Sequence, residues 1–294
     1  MSEEKKFLIY INGTFYKEDE AKISVFDHGL LYGDGIFEGI RVYDGRIFML
    51  DEHLDRLYES AKTINLQIPL SKEEFRKAII ETARKNGVRD AYIRPIVTRG
   101  YGGLGLDPRN CKAPTVIIIV QSAPPMLTKG KAVRAIVSSI RKNPPFCLPP
   151  MVKSLNYLNN ILAKIEAINA GVDEAIMLDW RGYISEGTAT NIFIVKDRVL
   201  NTPPLYASIL AGITRRVVIE LAKELKIDVI ERDITLHELY NADEAFLTGT
   251  GPEIQPIIEV DKRKIGTGEP GPITLKLTDA FRNKVQTSGV DIYS

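Results

Sequence analysis

The chain has 294 residues, 44% of them apolar, and 39 basic residues balance 38 acidic ones to a net charge of +1. Without a basic run this composition excludes a nucleic-acid-binding or membrane-surface protein, and small molecules or copies of the chain itself become the expected partners. Two cysteines lacking C-x-x-C spacing and three scattered histidines make no metal cluster, and the length predicts two domains.

In chain order, "MSEEKKFLIYING" has no signal-peptide core and runs into a strand and turn. No segment approaches the roughly 20 apolar residues that cross a bilayer, so a cytoplasmic protein is expected. "GIFEGIRVYDGRIFML" reads as a hairpin turning at Asp44-Gly45. "DEHLDRLYESAKTINL" has helical spacing, and Ser71 with Glu74 opens the next helix as a capping box. "DAYIRPIVTRG" and "APTVIIIVQ" are strands.

Periodicity stops near "SAPPMLTKGK". The expected organisation is an α/β domain over 1–121, a linker over 122–131 and a larger α/β domain over 132–294. Within the second domain "AVRAIVSSI", "DEAIMLD" and "ATNIFIV" predict strands. "LNYLNNILAKIEAINAG", "TRRVVIELAKELK" and "PITLKLTDAFRNKVQ" predict helices. Two α/β domains sharing a cleft is the expected architecture, and such clefts commonly bind ligands. The abundance of Lys, Glu and Arg fits a thermophilic source.

Two glycine-rich stretches lack the context their motifs require. "GYGGLG" satisfies G-x-G-x-x-G but runs into "LDPRN" with no helix to meet a pyrophosphate, and "GTGEPGP" lacks the Lys-Ser/Thr of a P-loop.

Several segments could carry chemistry. Lys153 in "PPMVKSLNYLNN" sits behind prolines at what reads as a helix mouth, where the backbone disfavours a cation and so favours a neutral amine. Strand periodicity puts Phe37, Gly39 and Arg41 on one face, either as a pocket wall or as an ordinary twisted strand relieved by its glycine. Tyr92 and Arg94 share a face and would make a carboxylate receptor, while Arg99 has the opposite parity. Gly212, Ile213 and Thr214 open a helix, as a phosphate cup or with Thr214 as a plain cap. Gly249 and Gly251 let the backbone turn its amides inward around Thr250. Glu186 reads as a turn residue that needs a cationic partner to matter. A neutralised lysine, two phosphate cups, a lone carboxylate and a carboxylate receptor together describe a pyridoxal-phosphate site.

The motifs "YGDGIFEGIRVYDG", "HLDRLYESAK", "YIRP", "KSLNYLNN", "GYISEGTATNIF", "LAGITR" and "TGTGPEI" occur in one order over nearly the whole length. In this the chain resembles the branched-chain aminotransferases, fold-type IV enzymes that use pyridoxal 5'-phosphate. The resemblance implies a two-domain α/β fold with the active site in the interdomain cleft. It also implies transfer of the amino group of L-leucine, L-isoleucine or L-valine to 2-oxoglutarate by a ping-pong scheme. Lys153 would be the Schiff-base lysine and Tyr157, one helical turn on, the phenol beside the ring oxygen. Glu186 would partner the pyridine nitrogen, and Leu210 would pack on the ring. Arg56 would hold the phosphate with Gly212, Ile213, Thr214, Gly249 and Thr250.

For the substrate, Tyr92, Thr250 and Gly251 would receive the α-carboxylate. Phe37, Gly39 and Arg41 would line the side-chain pocket. Arg94 would hold the distal carboxylate of glutamate with Tyr32 of a neighbouring subunit, in a homodimer or larger ring. Gly251-Pro252 departs from the small pairs usual in the family, and Arg99 adds a cation. D-amino acid aminotransferases and aminodeoxychorismate lyases share the fold class and are the alternatives, with a non-catalytic binding protein as a third.

Overall fold

A computed structural model describes residues 7–122 and 132–294, so most of the expected linker, 123–131, lies outside the described residues. The described residues divide into two compact units. The first takes 7–122, 152–156 and 286–294; the second takes 132–151 and 157–285. No helix among the described residues is long and apolar enough to cross a membrane.

The first unit begins with β1 (Leu8–Ile11), β2 (Thr14–Lys17), α1 (His28–Tyr32), β3 (Gly35–Phe37), β4 (Ile40–Tyr43) and β5 (Arg46–Ile47). Then come α2 (Leu50–Thr63), α3 (Lys72–Lys85), β6 (Ala91–Thr98) and β7 (Thr115–Ser122). These strands and a late one, Val290–Asp291, form one eight-stranded antiparallel sheet. Asp44 and Gly45 both have positive φ, 43° and 78°, as a tight hairpin turn between β4 and β5 requires. Ser71 and Glu74 form the expected capping box on α3.

Apolar residues of α2 and α3 at three- and four-residue spacing (Leu50, Leu54, Leu57, Phe75, Ile79) meet Ile40, Val42, Ile93 and Ile118 of the sheet in one core. Each such side chain, fully enclosed, contributes about 1.5–3 kcal/mol. Val152 joins this core, which explains why the short segment 152–156 belongs here.

"IFEGIRVY" is not one unbroken strand: β3 ends at Phe37 and β4 starts at Ile40. Both pair with β6 in the same register, Phe37 with Ile96 and Ile40 with Ile93. The gap falls opposite Pro95, whose ring nitrogen has no hydrogen to donate, although its carbonyl accepts from Glu38 N at 2.9 Å. The alternation of faces therefore survives the break.

The second unit contains β8 (Val133–Val137), α4 (Leu158–Asn169), β9 (Glu174–Leu178), β10 (Ile184–Gly187), β11 (Asn191–Lys196) and β12 (Val199–Thr202). It continues with α5 (Ile213–Glu224), β13 (Val229–Glu231), α6 (Leu236–Tyr240), β14 (Glu244–Gly249), β15 (Glu253–Val260), β16 (Arg263–Lys264) and α7 (Pro272–Thr287); the late strand of the first unit is then β17. A nine-stranded mixed sheet runs β10-β9-β8-β15-β14-β11-β12-β13, with β16 on β15. Ile176, Ile192, Ile194, Leu247 and Ile257 fill its core. One face of α4 packs Ala163 and Ala167 against Ala175 and Met177 of β9.

Candidate active site

Lys153 lies in the first unit, and its surroundings differ from the sequence reading. The helix after it starts at Leu158, so Lys153 is not at a helix mouth, and residues 153–157 make no helical turn that could carry Lys153 and Tyr157 together. The segment is instead laid along β3. Phe37 N donates to Lys153 O at 3.0 Å, Leu155 N donates to Gly35 O at 2.9 Å, and Ile36 bridges Ser154. Lys153 N also donates to Ser60 Oγ on α2 at 3.2 Å.

Desolvation, then repulsion from Arg56 and Arg94, lowers the Lys153 amine from 10.5 to about 8 against the opposing pull of Glu38 and Tyr92. Burial beside cations thus does what the sequence assigns to a helix dipole. Lys153 Nζ stands 4.4 Å from the centre of the Phe37 ring, and the Arg94 guanidinium 4.7 Å from the same ring.

Arg94 and Tyr92 share a face as expected, with Arg94 Nη2 at 3.5 Å from Tyr92 Oη. Arg94 Nε is buried and has no hydrogen-bond partner among the described residues. A guanidinium stacked on an aromatic ring with an uncommitted donor fits a carboxylate.

Opposite Tyr92 in the ladder sits Arg41, at 1% exposure, with its guanidinium 5.3 Å from the Tyr43 ring. A Cβ on Gly39 would fall 1.8 Å from Tyr92 Oη. The gap at Gly39 therefore admits the phenol of Tyr92. Tyr32 is half-exposed, and its hydroxyl accepts from Gly105 N at 2.9 Å.

Arg99 faces away as its parity predicts. It pairs with Asp34 through two 2.9 Å bonds and donates to Ile64 O and Asn65 O at the end of α2. Arg56, from α2, is buried and forks onto Glu38. Glu38 and His53, its neighbour in that cluster, are absent from the sequence reading. The signal available is parity alone: Glu38 alternates with Phe37 and Gly39, hence faces α2.

Glu186, in the second unit, is not an exposed turn residue. It lies in β10 at 5% exposure, and its cationic partner is Lys142, whose Nζ is 2.7 Å from Oε1. Asn191 Nδ2 and Leu210 N each donate to Oε2 at 3.0 Å. Two fixed donors and an ammonium leave a single orientation for a buried carboxylate. Neither Lys142 nor Asn191 is legible as its partner in the local sequence.

Gly212 is the N-cap of α5 with no side-chain hydrogen bond, so the cap is not Thr214. A Cβ on Gly212 would fall 1.9 Å from Asn191 Oδ1, which requires glycine there. The first amides of the helix, at Ile213 and Thr214, are left without a side-chain cap and fit an anion. Gly249 ends β14, and Thr250, Gly251 and Pro252 turn the chain into β15, with Gly249 paired to Glu253. Thr248 Oγ1 is buried without a hydrogen-bond partner among the described residues. Tyr157 precedes α4 and lines a pocket with Asn160, Thr188, Ala189, Thr190 and Pro252.

Each unit by itself carries groups that suit pyridoxal phosphate: the first a half-buried lysine and a stacked guanidinium, the second an uncapped helix start and a fixed carboxylate. The comparisons point the same way. The family described as Amino-transferase class IV matches residues 35–260. A Methanocaldococcus jannaschii protein, provisionally a branched-chain-amino-acid aminotransferase, is 57% identical over 97% of this chain and 99% of its own. The branched-chain-amino-acid aminotransferase of Pseudomonas aeruginosa is 42% identical over 93% of this chain and 91% of its own. Among solved structures, a T.th. branched-chain amino acid aminotransferase with pyridoxamine 5'-phosphate superposes with a TM-score of 0.92 at 40% identity, covering 96% of this chain and 94% of that one. The same enzyme complexed with N-(5'-phosphopyridoxyl)-L-glutamate superposes with a TM-score of 0.91 at 41% identity, covering 96% and 94%.

Proposed function

Because this chain belongs to the class IV aminotransferase family, with its two-domain α/β fold, we propose that it moves the amino group between L-leucine, L-isoleucine or L-valine and 2-oxoglutarate, using pyridoxal 5'-phosphate. The observation that carries this reading is the placement of the Lys153 amine 4.4 Å from the Phe37 ring on which the Arg94 guanidinium also lies. When bound, the cofactor supplies an electron-poor ring that stabilises negative charge at the substrate α-carbon.

The chain's own groups have separate tasks in this reading. Lys153, in its neutral form, takes the α-proton and later returns it. Arg56 receives the phosphate, as do the backbone amides of Ile213, Thr214 and Thr250 beside Gly212 and Gly249. Glu186, held by Lys142 and Asn191, accepts a hydrogen bond from the ring nitrogen and keeps that nitrogen protonated. Tyr157 donates to the ring oxygen, and Leu210 supplies an apolar contact.

The α-carboxylate goes to Tyr92 and the amides of Thr250 and Gly251. Phe37, Gly39 and Arg41 surround the branched side chain. Arg94 takes the second carboxylate of glutamate, with Tyr32 of a second subunit, in a homodimer or larger assembly. One amino acid leaves as its oxo acid before the acceptor enters, so double-reciprocal plots should be parallel.

The test is the visible spectrum of the cofactor-loaded protein with L-leucine, and separately with D-alanine, in the absence of an oxo acid. A change with L-leucine alone supports the reading. A change with D-alanine alone assigns the chain to the D-amino acid branch, and a protein that binds no pyridoxal phosphate overturns the reading.

A further inference from the structure

Glu38 takes no part in the reaction just described, yet it is fully enclosed, at 0% exposure. Arg56 Nε donates to Oε1 at 2.7 Å and Arg56 Nη2 to Oε2 at 2.8 Å. His53 Nδ1 lies 2.8 Å from the same Oε2, and His53 is itself 2% exposed. Gly39 N adds a longer contact of 3.3 Å.

Burial alone would raise the Glu38 carboxyl, but the charge and hydrogen bonds of Arg56, with those of His53, hold it well below the ordinary range. Burial pushes His53 down and keeps its ring neutral. An ionised carboxylate only accepts, so the single ring proton of neutral His53 must sit on Nδ1. The carboxylate therefore has the Arg56 fork on one side and a fixed neutral donor on the other.

An apolar replacement of a buried ion pair often matches its stability, so stability gives no sufficient reason for three polar side chains here. Orientation does. We infer that Glu38 and His53 are positioning residues, which lock the Arg56 guanidinium in one orientation for the cofactor phosphate. The inference rests on the pyridoxal-phosphate reading and adds two residues to it. The Glu38 charge also favours the protonated form of Lys153.

The experiment compares binding of pyridoxal phosphate with binding of pyridoxal, which lacks the phosphate, by visible absorbance. It uses wild type, Glu38→Gln and His53→Leu, each with its melting temperature. Glu38→Gln should weaken pyridoxal phosphate about 10- to 100-fold, the scale by which losing the partner that orients a metal ligand weakens metal binding. At a pH above about 8, where Lys153 is neutral in both proteins, it should leave pyridoxal unchanged, so that the preference for the phosphate collapses. The pH profile for uptake through Lys153 should move to lower pH in the same variant.

Equal loss of both ligands, or an unchanged preference, overturns the inference and leaves a structural ion pair. Should Glu38→Gln fail to fold, His53→Leu keeps the Arg56 fork and carries the test: a smaller loss confined to pyridoxal phosphate supports the inference, and an unchanged preference overturns it. A wild type that prefers neither ligand overturns the functional reading, and this inference with it.

Discussion

Lys153 Nζ stands 4.4 Å from the centre of the Phe37 ring, and the backbones of the same two residues are joined by the bond from Phe37 N to Lys153 O. The lysine is therefore tied to the sheet at main chain and side chain alike. Its lowered pKa comes from that enclosure and from the cations around it.

With the amine at about 8, Lys153 is protonated and unreactive below that pH and neutral above it. Uptake of pyridoxal phosphate by cofactor-free protein should accelerate as pH rises through about 8 and then level off. An ordinary lysine would keep accelerating toward 10.5. Stopped-flow absorbance between pH 6 and 10 (roughly one group's titration on either side) reads the midpoint, and a midpoint near the ordinary value would refute the enclosure argument.

Arg94 is expected to separate the two substrate classes. Its Nε is buried without a hydrogen-bond partner among the described residues, and its guanidinium lies on Phe37. Charge-assisted hydrogen bonds contribute about 1.5–3 kcal/mol, which is on the order of 10- to 150-fold in kcat/KM. Arg94→Met should cost that factor with 2-oxoglutarate or glutamate and far less with leucine. Initial rates with each substrate decide it, and equal losses would remove Arg94 from this role.

Arg99 is expected to act on stability rather than on substrate range. Its guanidinium is committed to Asp34 and to the carbonyls of Ile64 and Asn65, where a cation also complements the C-terminal end of α2. Asp34→Asn should lower stability by about 1–3 kcal/mol and leave the ratio of leucine to glutamate turnover unchanged. Chemical denaturation and kinetics on one preparation check both halves.

Self-association has a physical candidate in α4. Ala163 and Ala167 are buried, whereas Leu158, Ile161, Ile165 and Ile168 are exposed at 67%, 52%, 44% and 63% on the helix's other face. A second copy covering that stripe would bury it. Ile161→Glu with Ile165→Glu should shift sedimentation toward the monomer without unfolding the protein, and an unchanged sedimentation coefficient would exclude this face as the contact.

What can be read from the sequence is local chemistry. Ser71 and Glu74 lie three residues apart and satisfy one another, and Asp44-Gly45 carries its turn in its own conformational preferences. Matching parity places Tyr92 beside Arg94 and puts Arg99 elsewhere, because the ladder preserves alternation. The misreadings involve long-range partners. Prolines and an apolar run suggest a helix start at Lys153, whereas β3 and Ser60 claim its backbone. Glu186 looks solvated because Lys142 lies 44 positions earlier and the amide of Leu210 24 positions later, neither announced by its own stretch. Glu38 stays silent because nothing beside it in sequence reveals the α2 residues it meets.

The chain enters the first unit three times, at 7–122, 152–156 and 286–294, with the second unit threaded between. Val152 fills the first unit's core, Ile292 is fully enclosed in it, and β17 pairs with β5. A growing polypeptide thus exposes Leu54, Phe75 and Ile93 long before their last neighbours have been synthesised. Residues that emerge from the ribosome after all of the second unit close the first unit's sheet. The core of the first unit is thereby completed only when Ile292 has emerged, after the whole of the second unit has been made.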